Sequence, residues 1–278
     1  MSVAAVFAVL AMATMPAGGQ QNEYRAPRAA GGHPDLNGIW QALNTANYDL
    51  ETHMARSAMA LREGPHGPLP APAVLALGAV GAVPGGLSVV EGGAIPYKPE
   101  ALARKKENQE NWLTRDPEIR CYLPGVPRAT YVPYPFQIFQ SENGILITYE
   151  YAGAVRDVYM KDPGPPPVES WMGQSVGRWE GETLVVEVTG LNDRTWFDRS
   201  GNFHSEQLRV SERYTRVAPD HLLYEATIED PEVFTRPWKI SMPLYRRVEP
   251  EAQLFDFKCV EFVEELIYGQ YRRKPVTR

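Results

Sequence analysis

Apolar and polar residues alternate with a period close to two over much of the chain after residue 136. This alternation is typical of β-strands that bury one face and expose the other. Leu208, Val210 and Tyr214 share one such apolar face, and the charged residue Glu212 lies on it as well. The pattern predicts strands at residues 136–140, 144–151, 154–160, 182–189, 206–217, 221–230, 238–248 and 253–262.

Short turn signals such as Asn143-Gly144 separate several of these strands, which favours an antiparallel meander. A meander of this length must close or fold over, because open strand edges invite aggregation. We therefore expect a mainly β fold, an antiparallel up-and-down barrel with an apolar lumen. A two-sheet sandwich is the alternative, since the period alone does not separate the two. The chain has no sustained internal repeat, which argues against a propeller.

Two features precede these strands. A helix is predicted at residues 99–113, where Pro99 suits the first turn and Ala, Glu, Lys and Gln follow it. Residues 64–99 contain seven prolines and eight glycines, which disfavour regular structure. Because apolar stretches lie among them, we expect a long loop that covers the barrel. The expected fold thus has one or two short helices.

The N-terminal segment indicates export. Residues 3–13 form an apolar run that is too short to span a membrane, which takes about 20 residues. The run fits the core of a signal peptide over residues 1–22, although no Lys or Arg precedes it. A buried N-terminal strand or helix is the alternative. We expect a flexible arm at residues 23–34 and a single domain at residues 35–278, in a periplasmic or secreted protein.

Composition narrows the class of protein. Apolar residues make up 44% of the 278 positions, so a disordered chain is excluded. The net charge is −6 and no stripe of Lys and Arg is present, which argues against a nucleic-acid partner. In an oxidising compartment, the two cysteines, Cys121 and Cys259, are most simply a disulfide. Two unrelated buried thiols are the alternative.

Several motifs carry a resemblance to known proteins. The sequence LNGIW at residues 36–40 resembles the Gly-x-Trp opening of lipocalin-type barrels, where the Trp plugs the closed end. Further segments resemble a widespread family of uncharacterised exported bacterial proteins with a lipocalin-like appearance. This resemblance implies a barrel and an exported protein, and it implies no particular activity. The segments are CYLPGVPR (121–128), YPFQI (134–138), GRWEGETLVV (177–186), TWFDRSGNFHS (195–205) and ERY (212–214).

Candidate chemistry lies in local clusters, because the chain has no nucleophile elbow, zinc-protease motif or phosphate-binding loop. Residues 192–206 combine aromatic rings with titratable groups, and Asp198 there is placed to orient His204 for acid–base work. The alternative is a polar loop pinned at the barrel rim. His53, together with His204 and Asp198, would supply ligands for one divalent metal ion. A solvated segment is the alternative interpretation of the residues around His53.

Glu212 is a further candidate functional residue. A carboxylate that points into an apolar lumen has a high desolvation cost unless it is paired. Arg128, Arg178 or Arg236 is the expected ion-pair partner. If it were unpaired, Glu212 would be an acid or base with a raised pKa, or an anchor for a ligand.

These observations lead to three hypotheses. The first is an exported barrel that binds a small apolar or aromatic molecule in its lumen. The second is an acid–base enzyme (an isomerase, lyase or hydrolase, with or without a metal) in which Asp198, His204 and Glu212 are catalytic. The third is a non-catalytic envelope protein that acts through residues 64–99. The expected ligand-binding residues are Arg128, Trp196, Tyr214, Tyr224 and Trp238.

Overall fold

The computed structural model describes residues 24–55, 61–62, 69–70 and 83–261. The predicted signal peptide and much of the apolar stretch at residues 74–83 lie outside the described residues. The strands are β1 (Gly38–Ala42), β2 (Leu61–Arg62), β3 (Leu69–Pro70), β4 (Phe136–Gln140), β5 (Gly144–Tyr149), β6 (Val155–Tyr159), β7 (Gln174–Glu180), β8 (Thr183–Thr189), β9 (Arg209–Ala218), β10 (His221–Glu229) and β11 (Trp238–Arg246). The helices are α1 (Pro99–Glu110) and α2 (Trp112–Arg115), with three short 3-10 helices beside them.

Nine strands form a closed barrel in the order β1-β11-β10-β9-β8-β7-β6-β5-β4, and β1 also pairs with β4. The prediction of a mainly β barrel is therefore confirmed. The barrel is mixed, because β6 and β7 run parallel while the other neighbours are antiparallel. An odd number of strands cannot close with antiparallel neighbours alone. Residues 160–173 supply the required crossover and return the chain to the other end of the barrel.

The strand boundaries follow the alternation closely, with three exceptions. The pattern missed β7, whose centre holds Gly177 and whose end is charged, and it missed β1 as a barrel strand. The strand predicted at residues 253–262 is wrong, because residues 252–260 have no regular structure. The physical reason is that β1 already pairs with β11 and β4, so the closed barrel leaves no edge for a later strand.

Short turns at residues 141–143, 181–182 and 219–220 all lie at one end of the barrel. Trp40 fills this end, fully buried, and its indole Nε1 donates to the Leu36 carbonyl at 2.9 Å. The Arg216 guanidinium lies 6.0 Å from the centre of a Trp40 ring and donates to the carbonyls of Asp35 and Pro219. Trp40 thus takes the position that the Gly-x-Trp resemblance implies.

The opposite end is covered by longer segments, namely residues 43–55, 83–135, 190–208 and 230–237. Val90 forms a backbone bridge with Ile240, and Tyr97 forms one with Phe234. Val90 and Ile95 are buried. Val90, Ile95 and Tyr97 therefore lie against the barrel or its other covering segments.

The predicted disulfide is present between Cys121 and Cys259, whose Cα atoms are 5.8 Å apart. It ties the segment after β11 to the end of the 3-10 helix Pro117–Arg120. Phe257 in the same segment packs on the rings of Tyr134 and Tyr151, at centroid distances of 5.1 Å and 4.8 Å. Among the described residues, no helix has the length and apolar character needed to cross a membrane.

Candidate functional site in the barrel lumen

The barrel lumen is filled mainly by apolar side chains, because alternate residues of each strand point inward. These inner residues are well packed, so a polar group among them must find its partners inside the protein. The residues with no more than 1% of their surface exposed include Phe136, Ile138, Ile147, Leu184, Val186, Val188, Val210, Leu222, Ala226, Ile228, Ile240 and Leu244.

Glu212 lies in this lumen with no exposed surface and forms an ion pair with Arg156. Its other oxygen, Oε1, accepts hydrogen bonds from the hydroxyls of Tyr214 at 3.0 Å and Tyr224 at 2.8 Å. The prediction that Arg128, Arg178 or Arg236 would pair with Glu212 is wrong. Arg156 takes that place because it faces inward from β6, next to outward-facing Val155.

Two polar groups of this cluster make no hydrogen bond of good geometry within the described residues. Arg156 Nε donates to Ser175 Oγ at 2.6 Å, but Nη1 is buried and has no hydrogen-bond partner among the described residues. The Tyr149 hydroxyl is likewise buried without a partner in the described chain. A buried polar group that makes no hydrogen bond costs about 1–3 kcal/mol. Arg156 and Thr130 lie close enough to Tyr149 to offset part of the rise that burial causes in its pKa, yet neither forms a hydrogen bond of good geometry with its hydroxyl. The pair Tyr149 and Arg156 therefore has unused capacity to bind an oxygen atom.

The ionisation of the cluster is fixed near neutral pH. Burial raises the pKa of Tyr149, and it raises the pKa of Tyr214 and Tyr224 further, with the Glu212 charge acting in the same direction. Burial acts to lower the pKa of Arg156, but the Glu212 carboxylate outweighs it and raises this pKa. The three tyrosines are therefore neutral and Arg156 is charged, so Tyr149 and Arg156 both offer N–H or O–H donors.

The covering segments reach down to this cluster. Thr130 belongs to the 3-10 helix Arg128–Thr130, is fully buried, and places its hydroxyl 3.5 Å from that of Tyr214. At the covered end of the lumen, Trp238 packs against Phe197 and Phe234, and its indole Nε1 has no hydrogen-bond partner among the described residues. The contact between the lumen and the covering segments thus contains aromatic rings, the Thr130 hydroxyl and the Trp238 indole N–H.

Asp198 lies in the covering segments, where its side chain accepts hydrogen bonds from the backbone of two of them; we call this group the Asp198 hub. Its carboxylate accepts from the backbone N–H groups of Leu50 and Ser200, each at 2.9 Å, and from the Asn202 side chain at 2.6 Å. The neighbouring carboxylate of Asp49 is also buried and accepts from the Ser200 hydroxyl at 2.6 Å. Burial and the Asp49 charge raise the pKa of Asp198 to about 7.

Asp198 does not orient His204, so that prediction is wrong. The His204 Nδ1 lies 2.9 Å from the carbonyl oxygen of Ser205, and Nε2 lies 2.6 Å from the Thr195 hydroxyl. Because a carbonyl only accepts, Nδ1 carries the proton and Nε2 accepts from Thr195. Burial lowers the pKa of His204, which agrees with a neutral ring. Asp198, His204 and Glu212 thus bond to separate sets of partners and do not form one catalytic group.

Arg128 is part of a buried clamp rather than of the lumen cluster. It donates to both oxygens of Asp116 at 2.7 and 2.8 Å, to Glu118 at 2.6 Å and to Asn47 at 2.8 Å. Arg199 also binds Glu118, at 2.9 and 3.1 Å. Burial acts to raise the pKa of Glu118, but the charges of Arg199 and Arg128 hold it at about 2. The clamp joins three covering segments to one another.

The remaining predicted residues lie in different places. Tyr214 and Tyr224 belong to the lumen cluster and Trp238 to its covered end, whereas Trp196 is buried in the 190–208 segment, where it pairs with Phe203. The predicted metal site receives no support: the described residues contain no group of three or more His, Cys, Asp or Glu side chains that could hold a metal ion. Sequence reasoning missed Tyr149, Arg156 and Ser175. The available signal was that Arg156 shares a strand face with the apolar Val158.

Comparison with protein-family models gave no match for this chain, and no match was found among curated proteins or among solved structures.

Proposed function

We propose that the barrel binds a small, largely apolar or aromatic molecule between its lumen and its covering segments, through one oxygen atom of that molecule. The observation that carries this proposal is that two buried groups, Tyr149 Oη and Arg156 Nη1, make no hydrogen bond of good geometry within the described residues. Both offer hydrogen-bond donors, so the group they fit is an acceptor. Because Glu212 already neutralises Arg156, an uncharged carbonyl or hydroxyl oxygen suits the site better than a carboxylate.

Apolar surroundings support the same ligand class. The lumen beside the cluster is lined by aliphatic and aromatic side chains, which favour an apolar body with one polar handle. Since these side chains fill the lumen, binding requires the covering segments to move outward. The Thr130 turn is the part that must shift first, because its hydroxyl lies beside the tyrosines of the cluster.

We further propose that the protein is exported. The apolar run at residues 3–13 and the disulfide between Cys121 and Cys259 support export, because disulfides persist in oxidising compartments. Expression of the full chain in a bacterial host, followed by N-terminal sequencing of the periplasmic fraction, tests this. A processed N-terminus near residue 22 supports it, and an unprocessed protein that stays in the cytoplasm contradicts it.

The binding proposal is tested with a thermal-shift panel of small aromatic ketones, alcohols and carboxylates, followed by calorimetry of any compound that stabilises the protein. We expect ketones or alcohols to bind, and Tyr149→Phe to weaken binding about tenfold, which corresponds to the loss of about one hydrogen bond. The matched control is Tyr159→Phe, on the outer face of β6, which should leave affinity unchanged. No stabilisation across the panel, or equal effects of the two variants, would contradict the proposal.

The acid–base alternative is a separate proposal with a separate test. The pKa of Asp198 near 7 would suit proton exchange, but its oxygens are occupied by backbone and Asn202 donors. Chromatographic analysis of each bound compound after long incubation checks for turnover. Conversion that Asp198→Asn abolishes would favour an enzyme, and unchanged ligand would favour a binding protein.

A further inference from the structure

A groove on the outer surface of the barrel combines open aromatic rings with polar side chains. It has a volume of about 510 Å³ and lies where β4 ends, β5 begins and β6 ends, beside the short turn at residues 141–143. Phe139 and Tyr159 line the groove, and each leaves 45% of its surface exposed. Because alternate residues of a strand point to opposite faces, the barrel wall separates this groove from the lumen.

The register of the three strands explains the shape of the groove. Phe139 pairs with Leu146, and Leu146 pairs with Asp157, so these side chains form one row across the outer face. In the next row Gly144 pairs with Tyr159, and a Cβ atom on Gly144 would meet no other part of the chain within 4 Å. The groove is therefore the space above Gly144, with the Tyr159 ring on one side and the row of Phe139 on the other.

Polar side chains at the groove are available to a ligand. Asp157, Lys161 and Asn143 are exposed, and their side chains make no hydrogen bond or ion pair within the described residues. Asp157 and Lys161 are the charged residues of the lining, and their charges are opposite. The groove thus offers a hydrogen-bond acceptor, a donor and an amide that does both, with no net charge.

This lining fits a sugar ring better than other classes of ligand. A pyranose presents C–H groups on its faces and hydroxyl groups around its rim, and the negative face of an aromatic ring attracts C–H groups. Hydroxyl groups both donate and accept, as the polar side chains of the groove require. A charged ligand would be attracted by one of the two charges and repelled by the other. A peptide that binds as an added strand finds no open edge, since β5 is paired with both β4 and β6.

We propose that this groove is a second binding site, for a neutral saccharide. A sugar ring lies over Gly144, between the rings of Phe139 and Tyr159. The hydroxyl groups of the sugar bond to Asp157, Lys161 and Asn143. The proposal does not rest on the lumen ligand, because the two sites lie on opposite faces of the barrel wall and share no side chain.

The test is calorimetry of the full chain with four soluble probes: maltotetraose, cellotetraose, tetra-N-acetylchitotetraose and tetragalacturonate. We expect at least one of the three neutral probes to bind, and to bind more tightly than tetragalacturonate, which carries carboxylates. Added salt should change the affinity of the neutral probe little, because that probe has no charge for the ions to screen.

Two variants test the position of the sugar. Tyr159→Ala should weaken binding of the neutral probe about tenfold, whereas Tyr159→Phe keeps the ring and should bind like the wild type. Gly144→Leu should weaken binding further, since its side chain fills the space where the sugar lies and has room to do so without a clash. The matched control is Val155→Ala, an exposed apolar residue on the same face of β6 outside the groove, which should leave affinity unchanged.

Three results would overturn the groove proposal. These are no binding of any neutral probe, tighter binding of tetragalacturonate than of every neutral probe, or wild-type affinity in both Tyr159→Ala and Gly144→Leu. Tyr149→Phe distinguishes the two sites, because it should leave saccharide binding intact while it weakens the lumen ligand. Unfolding curves of each variant verify that a loss of binding is not a loss of fold.

Discussion

At the scale of single residues, the lumen contains charges that no solvent reaches. Glu212 and Arg156 expose at most 3% of their surface, and each neutralises the charge of the other. Such a pair adds little net stability compared with an apolar pair of the same volume. Removal of one partner, however, leaves the other as an uncompensated charge in a medium of low polarity. The pair therefore adds little to stability by itself, which is compatible with the binding role proposed above.

Glu212→Gln should lower the free energy of unfolding by about 3–5 kcal/mol, because it leaves the buried Arg156 charge without a counter-ion. Denaturation in urea measures this. The matched control is Glu180→Gln, which removes an exposed carboxylate paired with Arg178 and Arg213 and should lower the free energy of unfolding far less, because solvent screens these pairs. Similar losses in the two variants would show that Arg156 is not dependent on Glu212.

The raised pKa of Asp198 predicts that the stability of the folded protein depends on pH. Its pKa is about 7 in the folded protein, above the ordinary value of 3.8, so the folded state holds its proton more tightly than the unfolded chain does. The stabilisation is fully present below about pH 4 and is lost as the pH rises towards about 7, by up to about 4 kcal/mol. Asp49→Asn removes the neighbouring charge while it keeps an acceptor for Ser200.

The measurement is the free energy of unfolding at pH 5 and at pH 8 in wild type and Asp49→Asn. We expect the wild type to lose more stability over this interval than the variant, since the pKa of Asp198 falls when Asp49 is neutral. An equal loss in both proteins would mean that the Asp49 charge does not raise this pKa.

At the scale of elements, alternation predicted most strands and failed where their inner face is polar or small. The residues of β4 and β10 match the predicted segments nearly throughout. In β6 the apolar Val155 and Tyr159 point outward and Arg156 points inward, so the period identified the strand but not its buried face. Gly177 in β7 packs closely against Val158 and Met160. In the sequence alone, this glycine is typical of a strand end, which is why β7 was not predicted.

The site was predictable only in part, for a related reason. Glu212 stood out as a carboxylate on an apolar face, and Tyr214 and Tyr224 follow from the same alternation. The ion-pair partner of Glu212 is Arg156 on β6, and β6 joins the barrel through a parallel pairing with β7 across a crossover, which no local pattern specifies. Asp198 and His204 are close in sequence, yet backbone groups of their own segments take up their hydrogen bonds.

The disulfide acts on the segment that follows β11. The double variant Cys121→Ser and Cys259→Ser should have a free energy of unfolding about 2–4 kcal/mol lower than the wild type. The reason is that the disulfide closes a long loop, with 138 residues between the two positions. Limited proteolysis should cut residues 253–261 first while the barrel strands stay protected. Reduced wild-type protein is the control and should behave like the variant. Unchanged proteolysis would contradict a tethering role.

At the scale of the whole molecule, the two ends of the barrel differ in what closes them. Trp40 and Arg216 close the end with short turns through a buried ring and two carbonyl contacts. The other end is closed by long segments, which the Arg128 clamp and the Asp198 hub hold together. Access to the lumen therefore depends on these segments, and any ligand must enter between them and the strand ends.

The barrel as a whole was inferred from the length of the meander and from the need to protect its edges. The way it closes was not, because β1 lies nearly a hundred residues before β4 and completes the ring between β4 and β11. Pairing over that separation depends on tertiary packing, which the alternation within a single strand does not record.

The central claim is that Tyr149 and Arg156 bind the oxygen of a ligand inside the barrel. The most direct measurement is a high-resolution crystal structure of the protein with the tightest-binding ketone or alcohol from the panel. We expect the ligand oxygen at about 2.7–3.2 Å from both Tyr149 Oη and Arg156 Nη1, with Thr130 displaced from its present position. A ligand bound elsewhere, with an ordered water molecule alone bridging these two groups, would contradict the claim.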